Sequence, residues 1–481
     1  MKKQIRSLTK QTLIYGMGTI ATRLVTFLLL PVFTNILPDY IYGQAALIFT
    51  FLTMMNHVYN YGLDSAFMRY YSHEKDIEEK NKVLSSAMGM ALVSSFTLSI
   101  FVFIFRNRLA EFFLDDLVFS RLFVYAAIVL FFDCLARIPF AYLRQERRPM
   151  IFMGVRFINV ILTLALNVWF VGVMKQGIDG IFRSYVFVSI ITTTLLYILM
   201  LKKIQFRFDS EIAKKLFFFG IPFVPSGLAV ATMEMWNRII IKQFHDLEMV
   251  GIFSANYKLG IFMSLVSTGF YYAWQPFFLK EGNKEESRNL FGRIMTYFIV
   301  VALTFWMILT IFLNDIINIH IGSKYLLGLE YQNGIKIVPF VLLGYLFLGI
   351  NLVLLPGFYF EKKTRYLALI TIIAAVINIS FNYLLIPAFG IMGPGYAMII
   401  GNISLITMSY FASQRLFKIN YEYRRIFILF ISCIFVGFAV YYWQPHVVAK
   451  IIIVLLLPLI LKICKFFSPG ELTLLRKLVN R

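Results

Sequence analysis

The sequence predicts an all-α integral membrane protein with fourteen transmembrane helices, and three observations carry this prediction. Hydrophobic residues make up 59% of the 481 residues, charged residues make up 15%, and the mean hydropathy is +0.75, far above that of soluble globular proteins. Apolar stretches of about 20 residues, the length that crosses a bilayer, recur along the chain. Basic residues concentrate in alternate connections between these stretches, as they do in cytoplasmic loops.

We number the apolar stretches spans 1 to 14 in chain order. They cover residues 9–37, 41–64, 83–105, 118–142, 150–173, 178–201, 214–241, 249–279, 294–313, 334–358, 366–387, 391–413, 424–443 and 447–466. With a cytoplasmic N-terminus, 32 of the 46 Lys and Arg residues fall at cytoplasmic connections, 8 at outer connections and 6 within spans. A missed or additional helix would scramble this alternation, so both termini are predicted to be cytoplasmic. The net charge of +21 then reflects loops at lipid headgroups rather than nucleic-acid binding.

The remaining composition argues against an enzyme. Cys134, Cys433 and Cys464 lie in apolar segments and lack metal-ligand or disulfide spacing, which indicates packing. The basic start runs directly into span 1, which is too long for the apolar region of a cleavable signal peptide. The longest outer connection is about 314–333, and the chain contains no Walker motif. We therefore predict no catalytic residue, no metal site and no cofactor.

A weak internal repeat relates the two halves of the chain. HEKDIEEKNK at His73 returns as KEGNKEESRN at Lys280 with an offset of 207, and Asn167 matches Asn382 with an offset of 215. Each copy holds six spans, an even number, so both copies enter the membrane in the same orientation and form a parallel repeat. The predicted organisation is an N-terminal lobe at 1–201, a C-terminal lobe at 202–418, and spans 13 and 14 with a cytoplasmic tail at 419–481.

Span 1 carries the first candidate site residue, Arg23, near its middle. Thr12, Gly16, Thr19 and Thr26 share one helical face with it. An arginine at that depth costs roughly 2.5 to 3.5 kcal/mol on insertion scales unless it faces a partner or a water-filled cavity. We therefore expect Arg23 to belong to a functional site.

Span 8 carries the second candidate, Lys258. It lies about nine residues from the outer end of the span, roughly 14 Å deep at 1.5 Å per residue, which is too deep for easy snorkelling. The functional interpretation is a substrate-binding cation, and the structural alternative is an ion pair with Glu234.

Span 7 is predicted to be bent or broken. Pro222 and Pro225 remove backbone donors and Gly220 allows close approach, so these three residues are hinge candidates. Arg238 lies four residues after Glu234 on one face. It is either a substrate-binding residue or a group that pairs with Glu234 and reaches the outer headgroups.

Span 2 carries a polar face that includes His57, Asn60 and Asp64. His57 is either a hydrogen-bonded structural group or, because imidazole titrates near neutral pH, part of a proton-coupled cycle. Asp64 and Glu234 are the other candidates for ion coupling. Arg69, at the cytoplasmic end, is either a membrane anchor or the first contact for an anionic headgroup.

Asp133 and Arg137 on span 4, with Arg156 on span 5, form a further charged group. We interpret these three residues as a paired cluster that joins spans 4 and 5 near the inner surface.

Six segments carry a family resemblance. They read YGMGTIATRLVTFLLLPVFTNIL in span 1, YGQ at Tyr42, YGLDSAFMRYY at Tyr61, FFFGIPFVPSGLAVATMEMWNRIII in span 7, VGIFSANYKLG in span 8 and the P-x-F-G-I-x-G run at Pro387. The sequence resembles the polysaccharide transporter family, the Wzx-like lipid-linked oligosaccharide flippases of the MOP superfamily, which also holds lipid II flippases and multidrug extruders. The resemblance implies the MATE-like arrangement of two six-helix lobes. In the resembled lipid II flippases, basic residues on spans 1, 2, 7 and 8 bind the substrate diphosphate, which implies Arg23, Arg69, Arg238 and Lys258.

The expected function is therefore that of a flippase in the bacterial cytoplasmic (inner) membrane. It would move an undecaprenyl-diphosphate-linked oligosaccharide through a cationic central cavity by alternating access, for O-antigen, lipopolysaccharide or capsule biosynthesis. The expected partners are this substrate, membrane lipids, H⁺ or Na⁺ as a coupling ion and a polysaccharide polymerase, with no nucleic acid. The alternative is an ion-coupled multidrug or cation antiporter of the same fold, which would require acidic groups in the cavity.

Overall fold

The computed structural model describes residues 24–201, 207–282, 284–322, 324–361, 363, 365–463 and 466. These residues form helices almost throughout, as expected of an all-α membrane protein. A single two-stranded hairpin, His320–Ile321 with Lys324–Tyr325, is found in them, within the connection that follows span 9. The candidate residue Arg23 lies outside the described residues.

Spans 1 to 6 follow the predicted order. Their helices are Leu30–Ile36 for the end of span 1, Asp39–Asn60 and Leu63–His73 for span 2, Ile77–Ile104, Ser120–Gln145, Pro149–Asn167 continued by the π-helix Val168–Val173, and Gly177–Met200. The connection between spans 3 and 4 contains the helix Arg106–Leu114 and the 3₁₀ turn Leu117–Phe119.

Spans 7 and 8 each consist of two helices. The helices of spans 7 to 14 are Ser210–Gly220 with Phe223–Phe244, Leu247–Lys258 with Ile261–Glu281, Glu285–Ile311, Val338–Val353 with Pro356–Phe360, Arg365–Phe389, Gly393–Leu416, Tyr423–Trp443 and Val447–Ile463. Shorter elements complete the chain: the helix Leu313–Ile317 and the 3₁₀ helices Leu329–Ile337 and Gly390–Met392.

Helix length and hydropathy confirm an integral membrane protein. In the described ranges, eight helices are long and apolar enough to cross a membrane, or up to ten if each of two bent pairs is one span. One of the eight, Arg365–Leu416, contains both span 11 and span 12, which meet at the turn Gly390–Met392. The count of fourteen spans and the cytoplasmic position of both termini stay predictions.

The chain forms two compact units. The first comprises Met1–Lys258, Leu327–Ile335 and Thr371–Ala397, and the second comprises Leu259–Leu326, Lys336–Ile370 and Met398–Arg481. One boundary falls in the break of span 8, between its two helices. The division into lobes at 201 and 418 stays a prediction.

Side chains that bond to backbone carbonyls join the helices of the second unit, as is common in membrane bundles. Trp306, fully buried, donates its indole N–H to the Pro339 carbonyl at 2.9 Å, and Asn402 donates to Gly344 O at 3.0 Å. Lys450, 2% exposed, pairs with Asp315 at 2.6 Å and so joins span 14 to the connection after span 9.

Candidate substrate site

Lys258 ends the helix Leu247–Lys258, at the break of span 8, and its ammonium lies among aromatic rings. Its Nζ is 5.1 Å from the ring centre of Tyr42, 5.6 Å from that of Phe33 and 5.9 Å from that of Phe49. Cation–π attraction to three rings stabilises an ammonium without neutralising it. We call these four residues the lysine cage.

No hydrogen bond or ion pair of Lys258 is present among the residues that the structure describes, so the alternative of a pair with Glu234 is not observed. The side chain is half-buried. Lys258 therefore keeps its hydrogen-bonding capacity available for an anion.

A hydrogen-bonded framework holds the cage. Tyr42, 1% exposed, packs edge-to-face on Tyr331 with ring centres 5.7 Å apart. The Tyr331 hydroxyl donates to Leu37 O at 2.8 Å, and Asn256 Nδ2 donates to Tyr331 O at 2.8 Å. Spans 1 and 2, the first helix of span 8 and the segment Leu327–Ile335, all in the first unit, thus fix the rings around Lys258.

Arg238 is buried and hydrogen-bonded. It is 5% exposed, so it does not reach headgroups in the way that the anchoring alternative requires. Its guanidinium donates to Glu234 O at 2.9 Å and to Ser254 Oγ at 3.1 Å, and it lies 4.8 Å from the Tyr257 ring centre. These contacts join spans 7 and 8 near the lysine cage. Its role in substrate binding stays a prediction.

Arg69 is far from Lys258. It is exposed, and its guanidinium stacks 4.6 Å above the ring of Phe219, in the first helix of span 7. It follows Tyr42, which contacts Lys258, by 27 residues, or about 40 Å along the chain at 1.5 Å per residue, across the break between the two helices of span 2. The two cations therefore cannot bind the same phosphate group at once. Arg69 as an anchor or as a first contact stays open.

The candidate coupling residues contact different partners. A Cβ added to Gly227 would lie 2.5 Å from His57 Nδ1, so spans 2 and 7 approach closely there. Asp64 accepts from Asn60 Nδ2 at 3.0 Å and from the backbone N–H of Ser65 at 2.8 Å, which are local contacts. Glu234 is half-buried on span 7. An ion-coupling role for His57, Asp64 or Glu234 stays a prediction.

The break predicted in span 7 is present. The helix Ser210–Gly220 ends before Pro222, the next helix is Phe223–Phe244, and the two are bent by 40°. Pro225 sits in the first turn of the second helix, where a missing N–H costs little. Whether Gly220, Pro222 and Pro225 act as a hinge stays a prediction.

Span 2 is interrupted at the same level. Tyr61 and Gly62 adopt left-handed backbone conformations, with φ of 31° and 72°. A Cβ on Gly62 would lie 2.6 Å from Gly220 O. The interruptions of spans 2 and 7 therefore pack backbone against backbone.

At the predicted outer ends, spans 2 and 8 cross in direct contact. A Cβ added to Gly43 would overlap Leu247 O, and one added to Gly251 would overlap Asp39 O. Gly43 and Gly251 are 208 residues apart, as are Asp39 and Leu247, which is within one residue of the repeat offset of 207. The contact is therefore self-reciprocal, as around a two-fold axis. We call these four residues the outer crossing.

Two further contacts attach the ends of spans 1 and 7 to loop segments. Thr34 Oγ1 accepts from the Gly328 backbone N–H at 3.1 Å. Lys242, 208 residues after Thr34, donates to Phe112 O at 2.8 Å and pairs with Asp115 at 2.8 Å. The end of span 1 is thus joined to the connection after span 9, and the end of span 7 to the connection after span 3. Sequence reasoning missed both contacts, although the repeat offset relates Gly43 to Gly251 and Thr34 to Lys242.

Asp133, Arg137 and Arg156 lie near one another, but the predicted pairing of the acid with the arginines is not observed. Asp133 accepts a hydrogen bond from Ser189 of span 6, and within the described part of the chain no ion pair joins it to either arginine. Each guanidinium has another partner instead: Arg137 donates to Asn56 Oδ1 at 3.0 Å, and Arg156 lies over the Phe140 ring at 4.0 Å.

Comparison with known proteins identifies the family. A profile of the polysaccharide biosynthesis protein family matches residues 8–281. The chain belongs to this family. It is also 21% identical over 408 residues, 78% of each chain, to the uncharacterized membrane protein MJ1068 of Methanocaldococcus jannaschii.

Solved structures show the fold that this family member adopts. A structure of the lipid II flippase MurJ in an inward closed conformation is similar, with a TM-score of 0.73 and 16% identity over 93% of this chain and 98% of the other. An inward-facing structure of a multidrug resistance MATE family transporter of the MOP superfamily is also similar, with a TM-score of 0.67 and 15% identity over 85% of this chain and 98% of the other. These similarities confirm the MATE-like fold, which the chain shares with both structures.

Proposed function

We propose that the protein is a flippase that carries an undecaprenyl-diphosphate-linked oligosaccharide from the cytoplasmic to the outer leaflet of the bacterial cytoplasmic membrane. The product would feed surface polysaccharide synthesis, such as O-antigen or capsule. The observation that supports this most directly is Lys258, an ammonium deep in a predicted span that contacts three aromatic rings and forms no ion pair or hydrogen bond within the described residues.

The chemistry of the cage suits a diphosphate. Phosphate oxygens are strong acceptors, and a charge-assisted hydrogen bond gains strength where water is scarce. Three rings hold the ammonium in place at little cost, because cation–π contacts do not use its N–H donors. The isoprenoid tail can remain in the bilayer, so only the polar headgroup needs a path through the protein.

Delivery to the outer leaflet requires the outer crossing to separate. In this structure Gly43 and Gly251 bring spans 2 and 8 into backbone contact, and Lys242 and Thr34 fasten the ends of spans 7 and 1. We propose that these contacts break before the substrate is released to the outer leaflet and form again after its release. The interruptions of spans 2 and 7 would absorb the movement.

Energy would come from an ion gradient or the membrane potential, with H⁺ or Na⁺ as the coupling ion. One elementary charge that crosses 100 mV gains about 2.3 kcal/mol, which is enough to bias a return step. A cationic drug as substrate is disfavoured, because the Lys258 ammonium has no neutralising partner among the described residues and would repel it.

The test uses the purified protein in vesicles that carry a fluorescent polyprenyl-diphosphate oligosaccharide, with external quenching as the readout. We expect Lys258→Gln to lower the initial rate at least ten-fold and Lys258→Arg to retain most of it. Lys336→Gln, which removes an exposed lysine at the start of span 10, serves as the matched control and should keep the wild-type rate. Equal flipping rates for the wild type and Lys258→Gln would show that Lys258 does not bind the substrate. If the wild type does not flip the probe but exports a cationic dye, the flippase proposal is wrong and the antiporter is the better description.

A further inference from the structure

Asp133 lies in the middle of span 4 and has no part in the proposed substrate site. It is 13 residues from Ser120 and 12 from Gln145, the ends of its helix, and so about 18 to 20 Å from either end. A hydrocarbon layer of about 30 Å places it near the centre of the membrane. An ionisable group at that depth is expensive and is seldom kept without a function.

The carboxylate has an unusual set of partners. Oδ1 accepts from Ser189 Oγ of span 6 at 2.7 Å. Arg137, one turn along the same helix, instead donates through Nη2 to Asn56 Oδ1 of span 2 at 3.0 Å. Arg156 of span 5 lies over the ring of Phe140 at 4.0 Å. One acid thus lies near two guanidiniums and forms an ion pair with neither within the described residues.

The other titratable groups around Asp133 are few. Cys134 of its own helix and Tyr185 of span 6 face it, besides the two arginines. On span 2, His57 lies near Arg137 and Asp64 lies near Cys134. From span 3, the uncharged Ser99 donates to Ala127 O of span 4 at 3.1 Å.

A short path of contacts leads from Asp133 to span 7. Arg137, four residues along the helix, binds Asn56, and the next residue, His57, lies against Gly227 of the second helix of span 7. A movement of the Arg137 guanidinium toward Asp133 would release Asn56, beside the place where spans 2 and 7 touch. The charge state of one carboxylate can therefore influence the bent span that is proposed to move.

We propose that Asp133 is the proton-binding carboxylate that couples transport to a proton gradient, an inference that rests on the proposed flippase function. In the protonated state the carboxyl group remains bonded to Ser189, as in the structure. When its O–H bond breaks, the proton passes to water on one side of the membrane. The carboxylate then binds the Arg137 guanidinium, which releases its hydrogen bond to Asn56. Reprotonation from the other side restores the first arrangement, and no electron transfer is involved.

The experiment uses the same vesicles and lipid probe, with the membrane potential clamped at zero and a pH-sensitive dye inside. We expect a gradient of one pH unit to change the wild-type flipping rate at least five-fold, with a proton signal that accompanies flipping. Asp133→Asn, which keeps the acceptor for Ser189, should flip without a gradient at within about three-fold of the wild-type rate, but lose both the response and the proton signal. Asp179→Asn, which removes an acid paired with Arg121 near the start of span 6, should retain both.

The outcomes separate the two proposals. If the wild type flips the probe but shows no response to the gradient, or if Asp133→Asn responds as the wild type does, the proton role of Asp133 is wrong while the flippase stands. If the wild type does not flip the probe at all, the flippase itself is wrong and the coupling proposal falls with it. If Asp133→Asn fails to fold, Asn56→Ala is the second variant: it leaves the carboxylate intact and should weaken the gradient response, and an unchanged response would contradict the path.

Discussion

Gly43 and Gly251, equivalent positions of the repeat, lie against each other where spans 2 and 8 cross. A Cβ on Gly43 would be 3.1 Å from Gly251 N, and one on Gly251 would be 3.0 Å from Gly43 N. The mutual contact requires glycine at both positions, because any side chain would overlap the carbonyl oxygen of the opposite helix. A contact of two backbones without side chains leaves a small interface, which suits a contact that must open and close.

Gly43→Ala is expected to separate the outer crossing, because the new methyl group overlaps Leu247 O. Flipping should fall at least ten-fold, and a cysteine placed at Leu37, which is 4% exposed, should become reactive toward an impermeant maleimide. Gly269→Ala, also in span 8, is the control, because a Cβ there has no neighbour within 4 Å. Normal flipping and an unreactive cysteine in Gly43→Ala would show that the crossing tolerates a side chain.

The lysine cage predicts different effects for two substitutions of Tyr42. Tyr42→Phe keeps the ring over Lys258, and the Tyr42 hydroxyl has no hydrogen-bond partner among the described residues, so this variant should behave as the wild type. Tyr42→Leu removes one cation–π contact of about 1 kcal/mol, which corresponds to roughly five-fold weaker binding of the diphosphate probe. Titration of probe fluorescence measures both values. A loss in Tyr42→Phe as large as that in Tyr42→Leu would assign the effect to the hydroxyl instead.

The ion pair between Lys242 and Asp115 should contribute little by itself to the stability of the folded protein. The Asp115 side chain is 72% exposed, and exposed ion pairs are worth about 0 to 1 kcal/mol. Lys242 also donates to Phe112 O, so Asp115→Asn leaves a partner in place. We expect thermal unfolding in detergent to change by less than about 2 °C for Asp115→Asn and to fall further for Lys242→Met. Equal losses in the two variants would mean that the carboxylate provides the main attachment.

We expect the stability of the folded protein to depend on pH through Asp209. Its carboxylate caps the helix Ser210–Gly220, and the backbone N–H groups of Ile212 and Glu211, at 3.1 and 2.8 Å, hold its pKa below the ordinary value. A lowered folded-state pKa stabilises the protein above the ordinary aspartate pKa, and this contribution is lost as the pH falls through the folded-state pKa. Asp209→Asn keeps a capping oxygen without the charge, so its unfolding temperature should fall less than that of the wild type on acidification. Parallel acid profiles of the two proteins would contradict this assignment.

Much of the architecture was predictable because it depends on one-dimensional patterns. Hydropathy defines spans regardless of how they pack, and the prolines of span 7 predict its break from their missing N–H groups. The predicted pairing of Asp133 with Arg137 and Arg156 is not observed among the described residues, for the opposite reason. Helical spacing places Arg137 one turn from Asp133, but the choice between Asp133 and Asn56 depends on how span 2 packs against span 4.

The sequence by itself determined that the chain is a helical membrane protein with a repeat, and that Lys258 is a cation deep in a predicted span. Only the tertiary structure decided that this cation lies among three rings, that Arg238 is buried in hydrogen bonds, and that Asp133 binds Ser189 rather than an arginine. It also decided that the repeat-related glycines touch. The physical reason is that hydropathy and charge are properties of each residue and can be read along the chain. The partner of each polar group depends instead on contacts between segments that are far apart in the chain.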